Sequence, residues 1–289
     1  MKVLVLGGTR FFGIHMVNNL LSKGHEVTIA TRGNKEDYFG SKVERIIIER
    51  TDFNNMKNAF KDKSYDVVCD NLAYCSNDVK YAMESIDCKR YIMVSSAAVY
   101  NLHLDTREES YNPLEKEIIW CDRTGFEYGE LKRLAESVLV KSYSTKESIA
   151  VRFPFVIGKD DYTNRLLFYV EHIVKEKPMF IDNVNKQMGF VSSDDAGKFL
   201  SFLVENEYCG SINGSCNGTI SLREIIDYTE RRTNKKALLD SNGDIAPYNG
   251  VADYSLNTNR ASHLGFSFSK LSDCIYDLIN YYIDYCDKK

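Results

Sequence analysis

The first thirty-two residues follow the order strand, glycine-bearing turn, helix and strand, and this order constrains the fold more than any other feature of the chain. Lys2 to Leu6 is a short apolar run, followed at once by Gly7-Gly8-Thr9-Arg10-Phe11-Phe12-Gly13. The pattern predicts a helix from Phe11 to Lys23 and a second strand from Glu26 to Ala30. Free N–H groups and the positive end of the helix dipole at such a turn favour an anion. We therefore predict a βαβ unit that cradles a dinucleotide pyrophosphate.

The alternation of strands and helices continues and predicts an α/β fold with a doubly wound parallel sheet, the Rossmann arrangement. Ligands of such sheets bind at the carboxyl ends of the strands. Ser221-Leu222-Arg223-Glu224 is a capping-box signature for a later helix, and Leu271 to Tyr285 is predicted to be an amphipathic helix. The six predicted strands are Lys2 to Leu6, Glu26 to Ala30, Val43 to Ile48, Asp66 to Asp70, Tyr91 to Ser95 and Ile149 to Phe153.

A second motif lies about 115 residues after the glycine turn. Tyr128 and Lys132 are four residues apart on a predicted helix and therefore share one face. Upstream, Ser96 follows the strand that begins at Tyr91. Each feature alone is common, whether as a structural turn or as a surface helix, but the ordered set of all three is much less common. It favours dinucleotide binding at the glycine turn over a merely structural turn.

With these motifs the chain resembles the short-chain dehydrogenase/reductase superfamily, in its extended branch of NAD(P)-dependent nucleotide-sugar epimerases and dehydratases. The resemblance implies that Gly7 and Gly13 contact NAD or NADP, that Ser96 touches the substrate hydroxyl, and that Tyr128 and Lys132 transfer protons. Arg10 stands where the family has its middle glycine, as in an atypical subgroup that includes chloroplast RNA-binding relatives. Many members of that subgroup have lost catalysis.

Other segments extend the resemblance along the chain. Asp52-Phe53 resembles the family's adenine-contacting Asp and its apolar neighbour. Phe155 lies in the strand that opens a substrate lobe, and the segment near 190–200 resembles the one that returns to the cofactor part. The implied division is a cofactor domain at 1–157 and a smaller, interleaved α/β substrate lobe at 158–289. The predicted cofactor contacts are Gly7, Thr9, Arg10, Phe11, Phe12, Gly13, Arg32, Asp52, Phe53, Leu72 and Lys132.

The end of the second strand favours NADP over NAD. Asp or Glu there usually holds the 2′-hydroxyl of the NAD ribose, whereas a 2′-phosphate calls for a cation. This chain has Arg32 close to that point and Arg10 in the glycine turn, and both can form charge-assisted hydrogen bonds with a phosphate. The alternative is that both are solvated surface charges.

The residue pattern also suggests the chemistry. A free phenol has a pKa of about 10, and a nearby cation favours its phenolate, so Lys132 would let Tyr128 remove a proton from a sugar hydroxyl. The family's dehydratases carry Thr-Asp-Glu where this chain has Ser96-Ala97-Ala98, which argues against 4,6-dehydration. Epimerisation through a keto intermediate and simple carbonyl reduction remain, and we favour epimerisation.

The substrate side is less clearly specified. Gln187 stands where the family often has an arginine that binds the sugar-nucleotide phosphates, and Arg165 is the candidate replacement. Arg165 belongs to a polar cluster that begins at Asp160, and that cluster is equally well explained as a solvated loop before a helix. The family's upstream active-site Asn falls at Asn77 or Asp78, and the sequence does not decide between them.

A second hypothesis is a non-catalytic NADP-binding or RNA-binding protein of the same fold. The 37 Lys and Arg residues against 41 Asp and Glu give a net charge of −4, which argues against nucleic acid as a partner. The retained Ser96, Tyr128 and Lys132 favour catalysis.

Partners and location follow from composition and from the family. No apolar stretch approaches the roughly 20 residues that span a bilayer, so we expect a cytoplasmic protein without a membrane partner. The eight cysteines and five histidines show no metal-binding spacing, so no metal is expected. Family members usually dimerise through the Tyr/Lys helix. An apolar seam on that helix could serve a homodimer or an internal face equally well: Leu131, Leu134, Val138 and Leu139.

Overall fold

The structure is a computed structural model and describes residues 1–288. Its strands are β1 (Lys2–Leu6), β2 (Glu26–Thr31), β3 (Val43–Ile47), β4 (Ser64–Asp70), β5 (Asp87–Ser96), β6 (Glu147–Phe153), β7 (Phe155–Ile157), β8 (Pro178–Phe180), β9 (Gln187–Met188), β10 (Phe190–Ser192), β11 (Gly210–Asn213), β12 (Ile220–Ser221), β13 (Leu238–Leu239) and β14 (Asp244–Ile245).

The helices are interleaved with these strands. The α-helices are α1 (Phe12–Ser22), α2 (Phe53–Ala59), α3 (Ser76–Ser85), α4 (Tyr128–Ser142), α5 (Arg165–Val174), α6 (Ser193–Val204), α7 (Leu222–Thr233), α8 (Asn259–His263) and α9 (Leu271–Asp287). Short 3-10 helices span Gly40–Lys42, Ala97–Val99 and Glu108–Ser110.

Seven strands form the central sheet in the order β11-β6-β5-β4-β1-β2-β3, and every pairing in it is parallel. This confirms the doubly wound α/β fold and the six predicted strands. The seventh strand, β11, is an addition that the sequence did not predict. Its four residues, Gly-Ser-Ile-Asn, carry little strand propensity, and it forms by pairing with β6 at the edge of the sheet.

Side chains alternate across the sheet and bury two cores. Val3 and Val5 of β1 face the layer of α1 and α6, whereas Leu4 and Leu6 face α2, α3 and α4. All four are fully buried. Parallel strands that are covered on both faces consist of nearly continuous apolar residues. For this reason the sequence predicts this part of the fold.

The segment from β10 to β11 returns to the central sheet. Helix α6 packs on α1 so closely that a Cβ added at Gly197 would lie 2.5 Å from the Cβ of His15. The core around α1 and α6 continues to Leu271 and Ile283 of α9, so one apolar core joins the two parts of the chain. The capping box predicted at Ser221 and Glu224 is present at the start of α7.

A buried ion pair fixes α4 against the sheet. Arg152 on β6 and Glu136 on α4 are both 0% exposed, and the Arg152 Nη2 lies 2.6 Å from the Glu136 carboxylate. The hydroxyls of Ser95 and Tyr100 also hydrogen-bond to this pair. A buried ion pair is tolerated when its remaining groups are satisfied in this way. The pair lies one helical turn after Lys132 and sets the position of the predicted catalytic helix.

Candidate functional site

A cavity of about 370 Å³ opens at the carboxyl ends of β1, β2, β3 and β4. Most of the predicted cofactor contacts line it, namely Gly7, Thr9, Arg10, Phe11, Phe12, Arg32 and Leu72. The rest of its wall is Gly8, Ala30, Thr31, Asn34, Lys35, Ile48, Glu49, Arg50, Asn71, Tyr74, Arg123 and Tyr162.

The glycine turn has the geometry of a backbone cradle. Gly7 and Gly8 have φ values of +101° and +95°, a region that side chains with a Cβ rarely adopt. A Cβ added at Gly13 would lie 2.9 Å from the Gly8 Cα, so the turn and α1 touch backbone to backbone. Helix α1 begins at Phe12, one residue later than predicted, because Phe11 adopts a left-handed conformation with φ of +51°. The N-terminus of α1 thus opens directly onto the cavity.

Cations surround the mouth of the cavity. Arg10, Arg32 and Lys35 all belong to its wall, and all three are exposed. The Arg10 guanidinium lies 5.6 Å from the centre of the Tyr162 ring, within range of a cation–π contact. Glu49 is the acidic residue in the same wall. The rim therefore offers an anion more positive than negative charge.

The predicted adenine contacts do not lie in this wall. The Asp52 carboxylate caps α2 by accepting a hydrogen bond from the Asn55 N–H at 3.0 Å, and the Phe53 ring packs 5.4 Å from that of Tyr81. The residues that line the cavity after β3 are Ile48 to Arg50, just before Asp52. The adenine contact of Asp52 and Phe53 stays a prediction, and the structure shows Asp52 as a helix cap.

Tyr128 and Lys132 stand at the start of α4, as the spacing predicts. The Lys132 ammonium is buried and donates to the carbonyls of Ala73 at 2.6 Å and Val94 at 2.8 Å. It lies 5.8 Å from the centre of the Tyr128 ring, and Tyr128 itself is 47% exposed. The two backbone bonds fix the cation between β4 and β5 and leave one N–H free to donate.

Ser96 lies on the turn that supports the start of α4. Its Oγ accepts a hydrogen bond from the Ala98 N–H at 3.2 Å. A Cβ added at Gly129 would lie 2.5 Å from the Ala98 carbonyl oxygen, so the helix that carries Tyr128 packs directly on the turn that carries Ser96. The three predicted catalytic residues are therefore held by neighbouring elements.

Tyr74, which the sequence did not identify, lines the cavity and lies beside Tyr128. Its ring lies 6.3 Å from that of Tyr128, and the Lys132 Nζ lies 4.8 Å from its centre. The Arg123 guanidinium also lies 4.8 Å from the ring. Burial raises the pKa of Tyr74, so its phenol stays protonated at neutral pH. Its place at the carboxyl end of β4 was the signal that could have found it.

Asn77 and Asp78, the two candidates for the family's active-site Asn, have different surroundings. The Asn77 amide donates to Asp122 at the surface, at 2.8 Å. Asp78 is buried, accepts from the Tyr74 N–H at 2.8 Å, and binds the Arg123 Nε at 3.0 Å. Asp78 therefore holds the backbone and the cation around Tyr74.

The three candidate substrate residues, Phe155, Arg165 and Gln187, lie outside the wall of this cavity. The Phe155 ring packs 4.8 Å from that of Tyr248, and the Arg165 guanidinium lies 5.3 Å from the Phe155 ring centre. Gln187 is already engaged, because its amide donates to Glu224 and accepts from the Thr219 hydroxyl. These bonds join Gln187 to the capping box of α7. Of the three candidates, Gln187 has the least freedom to bind a ligand.

The polar cluster after Gly158 joins the two parts of the chain. The His15 Nε2 lies 3.1 Å from Asp160 Oδ2, and the Ser193 hydroxyl donates to Asp160 Oδ1 at 2.9 Å. A hydrogen bond to Asp160 is the main cause that raises the pKa of His15. Asp160 thus links α1 to α6 and is not an open substrate contact.

The apolar seam predicted for a homodimer is buried within the chain. Its four residues are each at most 4% exposed and pack on the cores under the sheet and on Cys75 and Cys121. The segment at 111–121 also crosses α4, where the carbonyl of Lys116 accepts from Ser137 and Lys141. These four residues therefore serve the internal face, and a homodimer through the Tyr/Lys helix stays a prediction.

Residues 1–288 contain neither a metal-binding cluster nor a membrane-spanning helix. Within that range, no group of three or more His, Cys, Asp or Glu side chains is arranged to hold a metal ion. None of the helices described there has the length and apolar character needed to cross a membrane.

Comparison with known proteins agrees with this description. Residues 3–87 match the NAD dependent epimerase/dehydratase family. A curated relative, the chloroplast stem-loop binding protein of 41 kDa b of Arabidopsis thaliana, is 32% identical over 113 residues. That match covers 34% of this chain and 30% of the relative, so it spans about a third of either protein.

Solved structures match over the whole chain. UDP-glucuronic acid 4-epimerase from Bacillus cereus in complex with NAD has a TM-score of 0.75 at 17% identity, covering 100% of this chain and 97% of that one. The Bordetella bronchiseptica enzyme WbmH in complex with NAD+ has a TM-score of 0.74 at 17% identity, covering 99% of both. UDP-glucose 4-epimerase from Thermotoga maritima with UDP-glucose has a TM-score of 0.73 at 16% identity, covering 100% and 99%. The predicted resemblance to the NAD-dependent epimerase/dehydratase family is confirmed over residues 3–87. The predicted fold is confirmed over the whole chain.

Proposed function

We propose that the chain binds NAD(P) and acts as an epimerase-like oxidoreductase on a sugar or nucleotide sugar, with Tyr128 as acid and base. The observation that carries this proposal is the position of the Lys132 ammonium. It lies 4.8 Å from the ring centre of Tyr74, which lines the cavity, and 5.8 Å from the ring centre of Tyr128. One buried cation therefore stands beside both the cavity wall and the proposed catalytic phenol.

The residues around the cavity fit a dinucleotide. Gly7 and Gly8 allow the turn its positive φ values, and Gly13 lets α1 pack on Gly8 backbone to backbone, so the N–H groups at the start of α1 would bind the pyrophosphate. Arg10 and Arg32 would bind a 2′-phosphate, which is why we favour NADP. The named neighbours with a bound dinucleotide contain NAD, so both cofactors belong in the test.

The chain's own residues supply the proton chemistry. A bound nicotinamide dinucleotide supplies a hydride acceptor that can return the hydride. Tyr128 would remove the proton from a sugar hydroxyl, and Ser96 would hold the same oxygen. Lys132 would stabilise the phenolate, because its two backbone bonds keep the charge in place as the proton moves.

The substrate proposal is a nucleoside-diphosphate sugar. Several neighbours of this fold are UDP-sugar epimerases by name, and one of them holds UDP-glucose. Arg165 on the Phe155 ring is the cation that we propose for the diphosphate. Ala97 and Ala98 offer no carboxyl group for an elimination, so we propose epimerisation in preference to dehydration.

The test is to incubate the protein with NADP or NAD and a panel of UDP-sugars, and to follow the sugar stereocentres by NMR. We expect one UDP-sugar to give its epimer in the presence of at least one cofactor. Dinucleotide binding without conversion of any sugar would contradict the enzymatic proposal.

The partial match to the stem-loop binding protein supports a second candidate, an RNA-binding protein that has kept the fold. Phosphate contacts make such binding strongly salt-dependent. A stem-loop RNA bound at physiological salt, together with no epimerisation, would favour this candidate over the enzyme.

A further inference from the structure

Two cysteines from distant parts of the chain lie side by side at the edge of the larger apolar core. The Sγ atoms of Cys216, which follows β11, and Cys274, the fourth residue of α9, are 3.9 Å apart, although 58 positions separate them in the sequence. Cys216 is 3% exposed, whereas Cys274 is partly exposed and packs on the core that contains Cys216. A reagent in the solvent therefore reaches Cys274 first.

Backbone hydrogen bonds hold the two segments together. The Asn217 N–H donates to the Ser269 carbonyl at 2.9 Å, and the Leu271 N–H donates to the Asn217 carbonyl at 2.8 Å. These bonds fix the residue next to Cys216 against the chain just before α9. The Cys274 thiol is held as well, because it donates to the Leu271 carbonyl at 3.3 Å. The fold thus sets the approach of the two sulfur atoms from both sides.

A carboxylate lies beside the buried thiol. Asp195 is 4% exposed, and its Oδ2 accepts a hydrogen bond from the Cys216 Sγ at 3.4 Å. A hydrogen bond from the Cys216 thiol lowers the pKa of Cys274, and the same contact together with burial raises the pKa of Cys216. Oxidants react with the thiolate form. The partner that solvent reaches is therefore also the more reactive one.

Other cysteines of the chain provide a comparison. Burial raises the pKa of Cys75 to about 12 and that of Cys88 to about 11, so both stay protonated at neutral pH. Cys209 is exposed, and its Sγ lies 3.9 Å from the Glu207 carbonyl. Exposure without a neighbouring thiol contact makes Cys209 the matched control for Cys274.

We infer that Cys274 and Cys216 form a peroxide-sensitive modification site that closes into a reversible disulfide. Hydrogen peroxide transfers one oxygen to the Cys274 thiolate, and hydroxide leaves as the O–O bond breaks. The Cys216 sulfur then attacks the Cys274 sulfenic acid, so that the S–S bond forms and the S–O bond breaks. The Cys216 proton passes to Asp195 and then to the departing hydroxide, which leaves as water. Two thiols are oxidised and one peroxide is reduced.

The bond would stabilise the fold where the later part of the chain meets the cofactor helix. It would tie the start of α9 to the segment after β11, next to Asp195 at the start of α6, and α6 packs on α1. A cross-link between residues far apart in sequence restricts the unfolded chain, which stabilises the folded state. The oxidised protein should therefore be more resistant to heat than the reduced one.

The experiment treats the full chain with hydrogen peroxide, without cofactor or sugar. Peptides from trypsin and Asp-N digestion are mapped by mass spectrometry without reduction, and thermal melts are recorded. We expect a disulfide between Cys216 and Cys274 and a melting temperature raised by about 5 °C or more, both reversed by dithiothreitol. Cys209→Ser should keep both effects. Since Cys209 and Cys216 share one tryptic peptide, this variant also identifies which of them is bonded.

Two further variants test the order of the steps. In Cys216→Ser, dimedone should label Cys274 as a sulfenic acid after peroxide treatment. In Cys274→Ser, Cys216 should stay reduced, and labelling of Cys216 there would overturn the assigned order. If the unmodified protein forms no disulfide between these two residues, the inference is overturned even where a serine variant does not fold. The proposed function stands apart from either result, because neither cofactor nor sugar takes part.

Discussion

At the scale of single residues, the site depends on where fixed positive charges lie. Lys132 is buried and held by two carbonyls, whereas Arg10 and Arg32 are exposed at the rim of the cavity. A buried cation acts on a nearby phenol through a medium of low dielectric, while a rim cation acts on a ligand that water also reaches. Lys132 therefore suits catalysis, and the two arginines suit phosphate binding.

Replacing Arg10 and Arg32 together with Ala should weaken NADP more than NAD. Each guanidinium that bonds the 2′-phosphate contributes a charge-assisted hydrogen bond, so the double variant should lose about tenfold or more for NADP. Fluorescence titration with both cofactors measures the two losses. Lys61→Ala, a cation outside this cavity, serves as the control. Equal losses of affinity for NADP and NAD would show that neither arginine binds the 2′-phosphate.

At the scale of elements, the turn between β1 and α1 leaves no room for an added side chain at Gly13. Gly13→Ala would push a Cβ to 2.9 Å from the Gly8 Cα, and neither backbone can move without shifting the helix. Overpacking of this kind costs about 1–3 kcal/mol. We expect a lower melting temperature and weaker dinucleotide binding. Gly189→Ala is the matched control, because its nearest neighbour would lie at an ordinary 3.5 Å. A Gly13→Ala protein that matches this control in both measurements would contradict the close contact.

The sequence predicted a strand or helix correctly where a single local pattern determined it. Apolar runs located the strands, and the capping box located α7 at Ser221. The short strand β11 forms only by pairing with β6, so local propensity did not reveal it. Asp52 caps α2, and the sequence did not separate that role from a ligand contact because both favour the same side chain.

The candidate site could be predicted from the sequence where its residues form a local motif, and not where folding brings them together. The glycine turn and the Tyr128 and Lys132 spacing come from neighbouring positions in the chain. Arg50 and Tyr74 of the cavity wall were missed because the partners that hold them, Asp70, Asp78 and Arg123, are brought to them only by folding.

At the scale of the whole molecule, Asp160 follows β7 and hydrogen-bonds to His15 of α1. This contact joins the beginning of the chain to its later part. The hydrogen bond with Asp160 raises the pKa of His15 above its ordinary value. A raised pKa means that protonated His15 stabilises the folded state below the ordinary histidine pKa of about 6.5 and that this contribution is lost as the pH rises through the folded-state value.

We therefore expect the free energy of unfolding to fall as the pH rises from 6 to 8, and we expect His15→Gln to reduce this fall. Urea denaturation across that pH range measures it. The exposed His263, replaced in the same way, is the control. A His15→Gln protein that keeps the full pH dependence would show that the contact between α1 and Asp160 does not depend on the protonation of His15.

The most direct test of the central claim compares Tyr128→Phe with Tyr74→Phe, since both phenols lie beside Lys132. Turnover of the sugar found in the panel and NADP affinity are measured for each variant. We predict that Tyr128→Phe loses about two to four orders of magnitude in turnover with unchanged NADP affinity, because it removes the acid and base. Tyr74→Phe should keep most of its activity. Near-normal turnover by Tyr128→Phe would contradict the account.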